Sequence, residues 1–186
     1  NIDDYVVDQT AVFQAITRRN ELPIHLVGHS YGGAAVVLQA AQNPAAVASL
    51  TLLAPVVPLD FSPIQAQAVP RLLGPIVTNS LESGGGGGPF EGMFVSDQQM
   101  LAYKLAHADQ PYSVEKAGLF TDNGFSPAWQ NELADAYATA AASDLPIFWL
   151  LARFDNVVKV PAQEKTAVSI NVSPTYFASG HYLQLD

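Results

Sequence analysis

The chain has 186 residues, no cysteine, and eight Lys+Arg against 17 Asp+Glu, for a formal net charge of −9 at pH 7. Disulfide scaffolds, thiol nucleophiles and thiolate metal sites are therefore excluded, and the negative charge repels phosphate backbones and anionic lipid, so neither nucleic acid nor a membrane is an expected partner. A hydrophobic content of 49% is ample for the core of one ordinary domain with or without an insertion, and no apolar run is long enough to cross a bilayer, which predicts a soluble protein.

Residues 2 to 19 carry apolar side chains at Ile2, Tyr5, Val6, Val12, Ala15 and Ile16, with acids early and Arg18-Arg19 late. That loose helical period predicts a surface helix laid over a sheet. Ile24, Leu26 and Val27 then give a β-branched, apolar strand that runs directly into Gly28-His29-Ser30-Tyr31-Gly32-Gly33. A strand that must reverse into a helix within a few residues forces the turning residue into a sparsely allowed backbone region and pushes its side chain outward. Ser30 is accordingly the candidate nucleophile, and Gly28 and Gly32 flank it where a Cβ would meet strand or helix backbone. Gly33 to Ala41 reads as a small-residue helix that Asn43-Pro44 stops, and a serine that merely caps this helix is the alternative.

Val47 to Leu53 makes a second apolar strand, so the two strands and the helix between them form a right-handed, parallel βαβ unit. From Pro58 to Asp144 the strand signal fades into helical patterns separated by Pro and Gly. This predicts a helical cap at 58–144 inserted between core segments 1–57 and 145–186. Ser96 to Ala108 is one helix candidate, and Ser126-Pro127 opens another that runs to about Ala142. Gly84 to Gly88 reads as a flexible loop, since no strand precedes it and no Lys-Ser/Thr follows, as a phosphate cradle would need.

Strands resume at Pro146 to Ala152, with Asp155 just past the end; a short helix starts at Pro161, and Thr175 to Phe177 is a last strand leading to His181. In open parallel sheets the ligand crevice lies beyond the carboxyl ends of the strands, so Ser30, Asp155 and His181 should face one site. A serine hydroxyl needs a base to take its proton, and the base needs an acid to hold its tautomer. The chain order Ser, Asp, His fits that division of roles. Asp60 and Asp144 are rival acids. His25 and His29 read as packing and turn residues, and His107 as a helix end within the cap. No two histidines have metal-ligand spacing, so no metal is expected.

Gly28-His29-Ser30-Tyr31-Gly32-Gly33, Asp155 in Ala-Arg-Phe-Asp-Asn-Val-Val and His181 in Ser-Gly-His-Tyr-Leu together resemble the α/β-hydrolase superfamily, over nearly the whole chain. The likeness is greatest to its capped, Ser-nucleophile esterases and perhydrolases. It implies an α/β fold with a mostly parallel sheet, a triad of Ser30, Asp155 and His181, an oxyanion-hole amide from Tyr31, and no cofactor. The expected activity is hydrolysis of a carboxylic ester or related small acyl compound, apolar or aromatic, through an acyl-enzyme at Ser30. Perhydrolysis, C–C cleavage, lyase chemistry, ligand sensing and a non-catalytic fragment are the alternatives on the same fold. Ser at position 30 argues against the dehalogenase and epoxide hydrolase members, which use Asp there. Members of the superfamily place several strands before the elbow and draw a second oxyanion amide from the loop after the third. This chain starts one helix before the elbow and ends soon after His181, and so reads as a domain lacking its first strands.

Overall fold

The computed structural model describes residues 2–19, 22–58, 127–155, 158–181 and 183. The helix expected at Ser96 to Ala108, the Gly84 to Gly88 loop, Asp60 and His107 all lie outside them.

Among the described residues four strands, β1 (Ile24–His29), β2 (Val47–Leu53), β3 (Ile147–Ala152) and β4 (Thr175–Phe177), lie side by side in chain order and pair in parallel. Helices α1 (Ile2–Thr17), α2 (Tyr31–Gln42), α3 (Pro127–Ala142) and α4 (Val160–Ser169) precede or connect them. Because every pair is parallel, all four carboxyl ends share one rim, and the loops carrying the candidate residues emerge there. This is the α/β architecture expected, and β2 and β4 coincide with the predicted strands.

The core forms where alternate strand residues meet apolar helix faces. Leu50 and Leu52 of β2 and Leu151 of β3 are fully buried, as are Ala34, Val37 and Ala40 of α2. Small residues on α2 let it approach the sheet closely, and each fully buried leucine contributes roughly 1.5–3 kcal/mol. On α3, Trp129, Leu133, Ala136, Tyr137 and Ala140 recur at helical spacing and are buried, the first four in the same cluster. Tyr137 stacks on Trp149 of β3 with ring centroids 5.5 Å apart and donates its hydroxyl to the Val56 carbonyl at 3.0 Å. Burial pushes the Tyr137 phenol far above its ordinary pKa, so it stays a donor. The helix α3 falls within the range 58–144 expected for the cap, and its inner residues pack in one cluster with those of α2 and β3. On the opposite sheet face, Val27, Thr51 and Phe148 line up in register across β1, β2 and β3, with Val27 and Phe148 exposed.

The inner face of α1 differs from expectation. Phe13 is the buried residue, while Val12 and Ile16 of the expected stripe are exposed. Phe13 joins the core cluster, and Thr10 adds a hydrogen bond of 3.1 Å to Gln39 Oε1. The helix therefore packs inward through Phe13, the half-buried Val6 and the Thr10 hydrogen bond, with Val12 and Ile16 facing outward.

Candidate active site

Ser30 occupies the single residue between β1 and α2 and has φ 54° and ψ −120°. A non-glycine residue there carries backbone strain of about 1–3 kcal/mol, which persists only where the surroundings hold it. Here they do. The Ser30 N–H donates to the Leu53 carbonyl at 2.9 Å, and the Ser30 carbonyl accepts from Gly33 at 3.0 Å and from Val56 at 2.9 Å. The elbow is thus clamped by the stretch that leaves β2.

Sequence spacing pointed to Gly28 and Gly32 as the steric partners of this turn, and the structure corrects the second. A Cβ at Gly28 would lie 2.4 Å from the Gly32 carbonyl oxygen and 2.5 Å from Val36 Cγ2. At Gly32 it would meet nothing within 4 Å among the described residues, whereas at Gly33 it would lie 2.6 Å from Pro55 Cβ. The crowding at Gly33 comes from a segment more than twenty residues away in sequence, which local turn rules do not see.

Asp155 and His181 meet as a buried pair, with His181 Nδ1–H donating to Asp155 Oδ2 at 2.9 Å. Their loops are laced together at the rim: Arg153 N–H donates to the Phe177 carbonyl at 2.9 Å and Phe154 N–H to the Ser179 carbonyl at 3.1 Å. The other carboxylate oxygen of Asp155 accepts the Val158 N–H at 2.9 Å. Of the rival acids, Asp144 lies before β3, at the opposite end of the sheet from this rim.

His29 joins the elbow to this pair. Its Nε2–H donates to the His181 carbonyl at 2.8 Å, and the two rings lie 4.8 Å apart between centroids. Burial lowers the His29 pKa; the bond to the His181 backbone and the charge of Asp155 oppose that shift, while His181 adds to it. His29 is therefore a bridging residue as well as a turn residue. The contact spans 152 positions, and nothing in the local pattern announces it. Gln163 of α4 is a second unforeseen neighbour, donating to Asp155 Oδ2 at 3.3 Å. His25, by contrast, pairs with Ser49 Oγ at 2.7 Å, at the other end of β1.

Tyr31 is the first residue of α2, where helix N–H groups project beyond the first turn. Its ring stacks on Trp129 of α3 at 5.9 Å and 10°. Among the described residues no cluster of three or more His, Cys, Asp or Glu could hold a metal.

A strained serine between a parallel strand and a helix, with a buried Asp-His pair on the loops after β3 and β4 at the same rim, fits an α/β hydrolase. The family model described as serine aminopeptidase, S33, matches residues 1–177. The chain belongs to this α/β-hydrolase family. Solved structures of the superfamily share its fold. A chain from Acinetobacter baumannii AYE assigned as a lipase is 18% identical, with a TM-score of 0.66 over 97% of this chain. A structure reported with carboxylesterases of the ammonia-oxidizing thaumarchaeon Nitrososphaera gargenis is 16% identical, with a TM-score of 0.67 over 100% of this chain and 66% of its own. A variant of the haloalkane dehalogenase DatA from Agrobacterium tumefaciens is 17% identical, with a TM-score of 0.69 over 99% of this chain and 68% of its own. The chain spans 61% of the length of the Acinetobacter protein. Comparison with curated protein sequences finds no match. Among the described residues no helix is long and apolar enough to cross a membrane.

Proposed function

We propose that this family member cleaves a carboxylic ester or related small acyl compound through an acyl-enzyme at Ser30. The observation that carries the reading is the buried Asp155–His181 hydrogen bond on the same rim as the strained Ser30 elbow. His181 Nδ1 is committed to Asp155, so Nε2 is the atom to exchange a proton with Ser30. The Ser30 hydroxyl attacks the substrate carbonyl carbon as His181 takes its proton, and Asp155 stabilises the imidazolium. The tetrahedral oxyanion takes a hydrogen bond from the Tyr31 amide, and such donors supply the largest single electrostatic contribution. His181 returns the proton to the departing alcohol, and water, activated by the same imidazole, then frees the acid and restores Ser30.

A hydroxyl nucleophile favours acyl transfer over the chemistry of the dehalogenase neighbour, since displacement at an alkyl carbon through an ester intermediate needs a carboxylate at the elbow. An apolar or aromatic acyl substrate suits the apolar composition of 58–144, the range proposed as the cap, and no cofactor is required. A fluorophosphonate probe tests the reading directly. It should label the full-length gene product covalently at Ser30, and Ser30→Ala should abolish both labelling and p-nitrophenyl ester hydrolysis. Undiminished labelling of Ser30→Ala would refute the assignment.

A further inference from the structure

We infer that Gln163 is a positioning residue for the Asp155–His181 pair: its side-chain amide fixes the plane of the Asp155 carboxylate and thereby the place where His181 is held. The inference rests on the roles proposed above for Asp155 and His181.

Gln163 lies in the first turns of α4 and is fully buried. Its Nε2 donates to Asp155 Oδ2 at 3.3 Å and to the Val158 carbonyl at 2.8 Å. Oδ2 is also the oxygen that accepts His181 Nδ1–H, while Oδ1 takes the Val158 N–H. Asp155, Val158 and Gln163 therefore close a ring of hydrogen bonds that holds both carboxylate oxygens. The terminal torsion of an aspartate is soft, so one contact leaves the carboxylate free to swing, whereas contacts on both oxygens fix its plane.

The choice of residue supports a role beyond packing. Gln163 Oε1 is buried and finds no hydrogen-bond partner among the described residues. An orphan buried carbonyl is unfavourable, and a leucine or methionine of similar volume would fill the site without one. What an apolar residue could not supply is the pair of N–H donors, one aimed at the oxygen that His181 uses. A glutamine that only anchored α4 would have no need of the second contact.

The test uses the full-length gene product, with Gln163→Leu, Gln163→Glu and Asp155→Asn compared on p-nitrophenyl butyrate. Loss of a hydrogen bond to a charged group predicts that Gln163→Leu lowers kcat about ten- to hundredfold with KM nearly unchanged. Gln163→Glu has nearly the same shape, and its introduced carboxyl can donate to Asp155 only while protonated. Its kcat/KM should stay near that of the unaltered enzyme at lower pH and fall as the pH rises, when two carboxylates would face each other. The unaltered enzyme should lack that descending limb. A merely structural role would lower the melting temperature of both variants and leave kcat and the shape of the pH profile alone, which would overturn the inference. If Gln163→Leu does not fold, the Gln163→Glu profile decides alone. Asp155→Asn separates the two levels: inactive with both Gln163 variants normal, it sinks the role of Gln163 only, whereas full activity in Asp155→Asn overturns the triad and this inference together.

Discussion

Two alanine substitutions four residues apart should have clearly different effects on stability. In Gly28→Ala the new Cβ would lie 2.4 Å from the Gly32 carbonyl oxygen and 2.5 Å from Val36 Cγ2, about 1 Å inside ordinary contact with each. The carbonyl belongs to the first turn of α2 and cannot rotate away, so relief requires the helix to move off β1. Overpacking by a methyl in a close-packed interior costs about 1–3 kcal/mol, and a backbone obstacle puts this case near about 3 kcal/mol. For a chain of this size that corresponds to a melting temperature lower by roughly 6–12 °C. Gly32→Ala adds the same methyl where nothing lies within 4 Å among the described residues, inside a helix that alanine favours over glycine by about 0.5–1 kcal/mol. It should be neutral or stabilising. Urea denaturation of both variants with a common m-value measures the difference. Equal destabilisation by the two would refute the geometry assigned to the elbow.

Asp155→Asn should keep the fold and lower kcat by about 10⁴, because the amide no longer stabilises imidazolium and selects the wrong His181 tautomer, while Asp144→Asn at the far rim should leave steady-state rates within twofold. Tyr137→Phe removes the hydroxyl that satisfies the Val56 carbonyl and should cost about 1–2 kcal/mol in equilibrium unfolding without changing KM. His29 has a lowered pKa in the folded protein, so the unfolded chain binds its proton first as pH falls below about 6.5. The stability it supports is full above that pH and is lost on acidification toward the folded pKa; His29→Gln should flatten this part of a stability profile measured from pH 8 to pH 5.

The strands and the identities of the candidate residues were legible because they are local. Val47 to Leu53 is a mainly apolar run, interrupted by Ser49 and Thr51 and closed by Ala54-Pro55, and Ser30 is announced by the strand before it and the small-residue helix after it. What escaped was set by tertiary contact. Phe13, and not the apolar stripe of Val12 and Ile16, anchors α1, because the outcome depends on which side of the helix α2 approaches. Gly33 rather than Gly32 is crowded because Pro55 returns beside it. His29 reaches His181 across most of the chain, and Gln163 reaches Asp155 from another turn of backbone with no periodic pattern to mark it.

The stack of Tyr31 on Trp129 gives the protein a built-in optical probe. The chain has only two tryptophans. Trp129 lies against the residue that follows Ser30, and Trp149 lies deep in the core against Tyr137. With phenylalanine at position 149, emission would come from beside the elbow and follow local changes there; with phenylalanine at 129, it would follow global unfolding alone. One chain thus carries separate fluorescence reporters of the elbow and of folding, without any attached dye.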